Sequence, residues 1–266
     1  LPLGLVGGRR LDLSDSVYNE WLCAQLLREL GLSVATTDIG HFDDQTALVV
    51  ERFDRQWQEV SQRLPQRWIA RIPQEDFCQV MGLPSREKYE ASGGPGMQRI
   101  TQVLLGSQAA QADVTNFLCA QLAFWLLAAT DGHAKNFSLF LLPGGRYRMT
   151  PLYDVISLWP VIGKGPNHVP WPSAKLAMAI RSKTAHYVLQ SILVRHWQGA
   201  AQKSGVPDVW EAMLRMTERV EPALAALEAL LPDDFPARTS ETVFDGVRSQ
   251  LKRWNQGVKA IQDIAV

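Results

Sequence analysis

Asp131, Asn136 and Asp154 are residues whose types and spacing could do chemistry together. They stand in Asp131-Gly132-His133-Ala134-Lys135-Asn136 and, eighteen residues after that Asn, in Tyr153-Asp154. Transfer of a phosphoryl group from Mg-ATP needs one carboxylate to orient and deprotonate the attacking hydroxyl. It also needs a carboxamide or carboxylate to hold a metal ion from one side, and a second carboxylate, on a separate turn, to hold it from the other. In that scheme Asp131 is the base, and Asn136 and Asp154 are the metal ligands. Taken singly each has a plainer reading: Asp131 and Asn136 as caps of a helix end, Asp154 as the cap of a turn. The set favours chemistry because a His, a Lys and a Tyr lie between or beside its members. A different metal site, a facial triad of His133, Asp131 and Asp154, needs a second His; none is nearby, and His168 is only loosely placed.

The flanking sequence must supply the elements that position these groups. Val114–Thr130 carries Phe117, Leu118, Leu122, Phe124, Trp125, Leu126 and Leu127 and is apolar on nearly all sides, which predicts a buried helix stopping at Thr130-Asp131-Gly132. Phe137–Leu142 reads as a strand, Pro143-Gly144-Gly145 as a turn and Arg146–Met149 as the returning strand. This hairpin could bring Asn136 and Asp154 onto one ion. Upstream, Ser14–Ser16 offers helix caps, and Val17, Trp21, Leu22, Leu26, Leu27 and Leu30 keep helical spacing up to Gly31. Glu20 lies within that helix and reads as a surface charge rather than as the acid that, on such a helix of a kinase, pairs with the ATP-binding Lys. Strands are predicted at Ser33–Ile39 and Thr46–Glu51 with a turn at Asp43–Gln45. Val49–Arg55 then reads either as a hinge whose backbone pairs with an adenine edge or as a strand end with a surface ion pair. Residues 56–63 are polar and predicted to be solvent-exposed. Arg67–Ile72 is a further strand, Pro73–Asp76 opens a short helix, and residues 83–96 read as a mobile loop. Pro160–Pro172, with four prolines, is predicted to be irregular and near the site. The last third is helical, with stripes at Trp210, Met213, Leu214, Val220, Leu224, Leu227 and Leu231 and at Phe244, Val247, Leu251, Trp254, Val258 and Ile261.

Composition bounds the class. A chain of 266 residues with 46% hydrophobic content can bury on the order of 75% of its unfolded surface, as one large domain or two lobes. A formal net charge of +0 gives no global drive toward nucleic acid or membrane. Cys23, Cys78 and Cys119 are far apart on apolar segments and lack metal-ligand spacing. They predict reduced core thiols and a cytoplasmic protein. No signal peptide is evident, and no charge-free apolar run reaches the ~18 residues of a membrane span.

In protein kinases the catalytic Asp and the metal-binding Asn also stand five residues apart on one loop. More specifically, Ala128-Ala-Thr-Asp-Gly-His-Ala-Lys-Asn-Phe137 and Thr150-Pro-Leu-Tyr-Asp154 closely resemble the HipA family, the serine/threonine kinase toxins of bacterial toxin–antitoxin pairs. Val50-Glu-Arg-Phe-Asp-Arg55, Leu64-Pro65 with Pro73-Gln-Glu-Asp76, Gly93-Gly-Pro-Gly96 and Lys175-Leu-Ala-Met178 are similar too. The resemblance implies an α+β, protein-kinase-like (HipA/PI3K-like) two-lobed fold. Residues 1–55 would be the remainder of the N-lobe and the hinge. Residues 56–266 would form a mostly helical C-lobe with the catalytic loop at 131–136 and the metal-binding turn at 153–156. It implies ATP and Mg2+ as cofactors, Asp131 as catalytic base, and Asn136 and Asp154 as magnesium ligands. Glu51, Arg52 and Phe53 would border the adenine, Glu51 and Phe53 through main chain. His133 would contact the nucleotide phosphates. Lys135 would neutralise the transferring phosphoryl group or pair with a carboxylate. Tyr153 and Val155 would join Asp154 around the nucleotide.

The resemblance also implies biology: phosphorylation of a serine on an aminoacyl-tRNA synthetase, inhibition of translation, and growth arrest with persistence. The implied partner is a HipB-like helix-turn-helix antitoxin, with operator DNA met only through that complex. Arg181 and Lys183 are its possible contacts or simply a solvated turn. In the family an N-terminal domain, a phosphate-cradling loop and an ATP-binding Lys precede a Leu-Pro pair much like Leu1-Pro2, so the chain is expected to be an N-lobe truncated at its start. Gly93-Gly-Pro-Gly96 does not replace that loop. The alternative is a catalytically incomplete kinase-like module that serves as a binding or transcriptional co-regulatory partner of a DNA-binding antitoxin.

Overall fold

The computed structural model describes residues 1–61 and 64–264. The chain opens with an antiparallel pair, β1 (Gly4–Val6) and β2 (Leu11–Leu13), and enters α1 (Ser16–Glu29). Leu22, Cys23, Leu26 and Leu27 make one face of α1 fully buried, as their helical spacing requires. Gly31 ends it at φ 87, a left-handed position that suits glycine. Next come the hairpin β3 (Thr37–Phe42) and β4 (Gln45–Val50) and a second hairpin, β5 (Arg55–Ser61) and β6 (Leu64–Arg71). β7 (Gln74–Asp76), α2 (Phe77–Val80), α3 (Met97–Leu104) and α4 (Ala110–Leu127) lead to β8 (Ser138–Leu142) and β9 (Arg146–Met149). β10 (Lys175–Arg181) and β11 (Ala185–Val188) follow, then α5 (Val194–Gln202), α6 (Val209–Glu218), α7 (Val220–Leu230) and α8 (Ala237–Ile264). The sheets are small: four two-stranded ribbons and the three-stranded β7-β8-β9. This is the expected α+β composition, with strands early and helices late. No helix among the described residues is long and apolar enough to cross a membrane.

α4 is the centre of the packing. Every residue from Phe117 to Leu127 is buried, and the core cluster joins it to α1, α3, β8 and α5 to α8. Of the helical stripes in the last third, Met213, Val220, Leu224, Val247 and Trp254 are almost completely enclosed. The proline-rich stretch 160–172 is irregular, as expected, and Trp171 within it stacks on Trp159 with ring centroids 5.1 Å apart. Gly246 of α8 lies where any Cβ would enter the Trp159 indole.

Several boundaries differ from the sequence reading. Ser33–Thr36 does not join β3. Ala35 N–H donates to Leu152 O, and Leu152 N–H donates to Ser33 O, both at 2.8 Å. The backbone of Ser33 and Ala35 is thus spent on Leu152, just before Tyr153. Gln74–Asp76 is a strand on β8 rather than the first turn of a helix. Asp76 then caps α2 from outside, accepting from Cys78 N–H at 2.9 Å and Gln79 N–H at 3.0 Å. The polar residues 56–61 are half of a hairpin with exposed Trp57, Trp68 and Ile69; residues 62 and 63 of that stretch lie outside the described residues. Residues 83–96 form two short 3-10 turns, Ser85–Glu87 and Glu90–Ser92. They are tied down rather than mobile, because Glu90 pairs with Arg181 at 2.5 Å.

Asn19 of α1 makes a two-way tie to the segment after the site. Its Nδ2 donates to Ser157 O at 2.8 Å, and its Oδ1 accepts from Ser157 N–H at 2.9 Å. Asn19 and Ser157 are both buried, so nothing else would satisfy those backbone groups. An unpaired buried polar group costs about 1–3 kcal/mol. Asn19→Ala should therefore lower the unfolding free energy by about 2–4 kcal/mol in urea titration; a change below about 0.5 kcal/mol would show that the tie is not needed.

Candidate active site

The loop 131–136 is built by the end of α4. Ala128 takes a left-handed conformation, φ 49 and ψ 37, which turns the chain out of the helix. Gly132 crosses the ring of Phe124 so closely that a Cβ there would sit 2.5 Å from it. The loop then closes as a 3-10 turn, Ala134–Asn136, with Asn136 N–H on His133 O at 2.9 Å. Asn136 is buried, and its carboxamide bridges two segments. Oδ1 accepts from His133 N–H at 3.2 Å, while Nδ2 donates to Asp154 Oδ2 at 2.7 Å and Asp154 O at 3.3 Å. The hairpin β8–β9 thus brings Asn136 and Asp154 together, as the sequence reading expects. Asp154 sits at φ 59 with its carboxylate exposed, a left-handed position that Asp tolerates better than most side chains.

Asp131 projects into solvent with 65% of its side chain exposed. Its Oδ1 accepts a hydrogen bond from the Tyr89 hydroxyl. His133 is buried beside it. The imidazole Nε2 lies 3.8 Å from Asp131 Oδ2, and the ring meets Tyr89 edge to face at 5.0 Å. Burial holds the His133 pKa below its ordinary value despite Asp131 nearby. Its Nδ1 is buried without a hydrogen-bond partner among the described residues.

Lys135 takes the second of its two expected roles. Its Nζ pairs with Asp76 Oδ2 at 2.5 Å, so the carboxylate that caps α2 also fixes the lysine. Tyr153 is anchored by its hydroxyl, which donates to Lys135 O at 2.8 Å and lies 2.5 Å from Ser138 Oγ. Burial pushes that phenol up to about 12. Its ring lies 5.8 Å from Phe53, which in turn meets Phe140 edge-on at 5.7 Å. Arg52 forks onto Asp54, with Nε and Nη2 each 2.8 Å from a carboxylate oxygen. Asp54 also pairs with Arg55 and is buried; the Arg52 hydrogen bond holds its carboxyl below the usual range. The ion pair read at this strand end therefore exists, but its acid lies inside. Glu51 N–H donates to Thr36 O at 2.9 Å, so that main-chain donor is already used.

Val155 is buried and lines a small pocket with Val34, Val50, Leu152 and Asp154. The wall of that pocket includes Glu20. Burial, and then the charge of Asp154, push Glu20 up to about 7. Glu20 is thus half-buried beside Asp154 rather than a fully exposed surface charge. Tyr89 and Asp76 were not legible as site residues. Both act through a contact some 40 to 60 positions away in sequence, 42 for Tyr89 and 59 for Asp76, and no local spacing signals it. A carboxamide and a carboxylate offer the oxygen donors that magnesium takes, the rest of its sphere being water and phosphate; here Asn136 turns Nδ2 rather than Oδ1 toward Asp154, so its carboxamide would have to turn over to join Asp154 on one ion.

A family model described as the HipA-like C-terminal domain matches residues 5–226. The Sinorhizobium fredii protein Y4mE, a kinase by name, is 31% identical over 233 residues, covering 86% of this chain and 49% of Y4mE. The Shewanella oneidensis serine/threonine-protein kinase toxin HipA is 33% identical over 153 residues, 53% of this chain and 34% of the toxin. The chain thus spans about half the length, or less, of these relatives. Among solved structures, the Shewanella oneidensis complex of HipA, HipB and operator DNA superposes with a TM-score of 0.77 at 26% identity, over 93% of this chain and 57% of the other. The Helicobacter pylori proinflammatory kinase CtkA gives 0.57 at 10% identity, over 92% and 87%, a likeness of fold alone.

Asp154→Asn keeps the left-handed tolerance and removes a negative charge facing Glu20. Its unfolding free energy should fall by no more than about 0.5 kcal/mol, or rise, in thermal denaturation. A larger loss would mean that the carboxylate itself holds the turn.

Proposed function

The chain belongs to the HipA-like C-terminal domain family, and from that premise we propose that it carries the catalytic groups of a protein serine/threonine kinase. The observation that carries the reading is the 2.7 Å contact between Asn136 and Asp154 across a hairpin, with the exposed carboxylate of Asp131 five residues before Asn136. Asn136 and Asp154 would hold Mg2+ against the nucleotide phosphates, where the ion supplies positive charge to the transferring group. Asp131 accepts the proton of the attacking serine hydroxyl. The serine oxygen bonds to the γ-phosphorus as the bond from that phosphorus to the bridging oxygen breaks, and ADP leaves.

The chain's other residues shape and exclude. Phe53, Tyr153 and Val155 supply apolar surface for the nucleotide, and Glu51 and Arg52 border it at the end of β4. The unpartnered Nδ1 of buried His133 gives that imidazole a free polar atom for the phosphates. Lys135, held by Asp76, orders the loop rather than reaching for a phosphate. The acceptor is proposed to be a serine of an aminoacyl-tRNA synthetase in the cytoplasm, whose modification halts translation and arrests growth in a persistent state.

The Shewanella relative was solved with HipB and operator DNA, which supports a HipB-like helix-turn-helix antitoxin as this chain's partner. Any approach to operator DNA would be through that complex. Arg181 is committed to Glu90, which leaves exposed Lys183 as the more available cation of that turn.

Loss of a general base typically costs 10²–10⁴-fold in rate, about 3–5 kcal/mol. In protein expressed from its complete reading frame, Asp131→Asn should slow transfer of labelled γ-phosphate from Mg-ATP into lysate protein by about 10²–10⁴-fold while the fold is kept. Wild-type transfer by a folded Asp131→Asn protein would remove Asp131 from this role. No transfer by a folded, ATP-binding wild type would favour a binding module instead.

A further inference from the structure

Asp131 poses a positional problem that the proposed function does not solve. A carboxylate with most of its side chain in solvent turns freely about its last bond, yet a base must present one oxygen along a fixed direction. His133 does not fix it, because 3.8 Å to Oδ2 is too long for a hydrogen bond. Among the described residues, the one side chain hydrogen-bonded to this carboxylate is Tyr89, through Oδ1.

The segment carrying Tyr89 is held unusually firmly for an irregular stretch. On one side, Lys88 O accepts from Ala134 N–H at 3.2 Å, a main-chain tie to the same loop that carries Asp131. On the other, the carboxylate of Glu90 is nearly buried. Its Oε2 accepts from Ala179 N–H at 2.6 Å, and its Oε1 accepts from Arg181 Nε at 3.0 Å and Nη2 at 2.5 Å. Just beyond, Gly93 stands at φ 98, and a Cβ at Gly94 would run into the carbonyl oxygens of Glu87 and Tyr89. The chain doubles back there in a turn that a side chain would block. Lys88-Tyr89-Glu90 therefore spans β10 and the loop 131–136, and the Tyr89 ring is wedged edge-on against His133. Burial, and the nearness of Asp131, raise the phenol pKa. The phenol thus remains a donor and does not compete for the proton that Asp131 must take.

We propose that Tyr89 is a positioning residue for phosphoryl transfer: its hydroxyl pins Oδ1 of Asp131 so that Oδ2 is the oxygen presented to the substrate hydroxyl. This rests on the reading of Asp131 as base. Misplacing a reacting group by an ångström costs up to about 100-fold in rate. Tyr89→Phe keeps the ring against His133 and removes only the hydroxyl, which bonds Asp131 and neither Asn136 nor Asp154, so nucleotide binding should be indifferent to that change.

The test uses four proteins expressed from the complete reading frame: wild type, Tyr89→Phe, Asp131→Asn and the double variant. Initial rates of labelled γ-phosphate incorporation into acid-precipitated lysate protein are taken over a range of Mg-ATP concentrations, with thermal unfolding as the check of fold. Tyr89→Phe should lower the maximal rate about 10- to 100-fold and leave the KM for ATP within about twofold. In the Asp131→Asn background the same substitution should change the residual rate by less than about twofold, because Tyr89 acts only through Asp131. An unchanged or faster Tyr89→Phe rate, with Asp131→Asn inactive, overturns the inference and leaves the base assignment standing; a faster rate would mean that the phenol merely occupies the place of the substrate hydroxyl. An equal loss in both backgrounds also overturns it, as a general structural effect. A wild type that transfers nothing, or an Asp131→Asn protein that transfers normally, removes the reading on which it rests, and the inference with it.

Discussion

A helix buried on every side has no water at its end, and this constraint organises the molecule around α4. The last carbonyls of any α-helix lack partners within it, and each one left unpaired in the interior costs about 1–3 kcal/mol. Here every one is met from elsewhere. Phe124 O takes Ala129 N–H at 2.8 Å. Trp125 O takes the Gln250 carboxamide at 3.1 Å, and Leu126 O takes the Trp159 indole at 3.0 Å. Leu127 O takes the Ser157 hydroxyl at 2.6 Å, and Ala128 O takes Leu158 N–H at 3.2 Å. Apart from Ala129, the donors sit on the segment that follows Asp154 and on α8. Ending α4 correctly and placing the two carboxylate-bearing loops beside each other are therefore one requirement.

Within that frame the site separates rigid groups from free ones. Asn136 is buried and bonded on both sides of its carboxamide, whereas Asp131 and Asp154 stand at the surface. Half-buried Glu20 faces Asp154 across a small pocket and is raised in pKa by burial and by that charge. The two acids repel one another across that pocket, which favours the neutral form of Glu20. Neutral ties such as Asn19 to Ser157 and ion pairs on a buried acid, such as Asp54 with Arg52 and Arg55, hold the frame, while Asp131 and Asp154 are left at the surface.

The sequence was legible wherever signals were local. The apolar run of α4, the Pro143-Gly144-Gly145 turn and the Asp131 to Asn136 spacing each announced themselves, and the hairpin they define does bring Asn136 into contact with Asp154. The helical stripes after residue 209 were equally plain. What failed was everything decided by a distant partner. Ser33–Thr36 has strand-like composition but bonds to Leu152. Pro73–Asp76 looks like a helix start but is captured by β8. Residues 83–96 have the glycine, proline and charge of a mobile loop, yet Arg181 holds Glu90 from 91 positions away. Tyr89 was illegible for the same reason, since its role depends on which carboxylate lies opposite.

The bond from Gln250 to Trp125 O spans 125 positions, and this has a temporal consequence. During synthesis the loop 131–136 leaves the ribosome long before α8 exists. Until then the carbonyl end of α4 lacks one of its donors, and the Trp159 indole lacks the Gly246 surface that seats it. Contacts of such high sequence separation form late and slow folding. The nascent chain would carry Asp131, Asn136 and Asp154 while still unable to align them, so their alignment would arrive abruptly, once α8 has emerged, rather than growing with length.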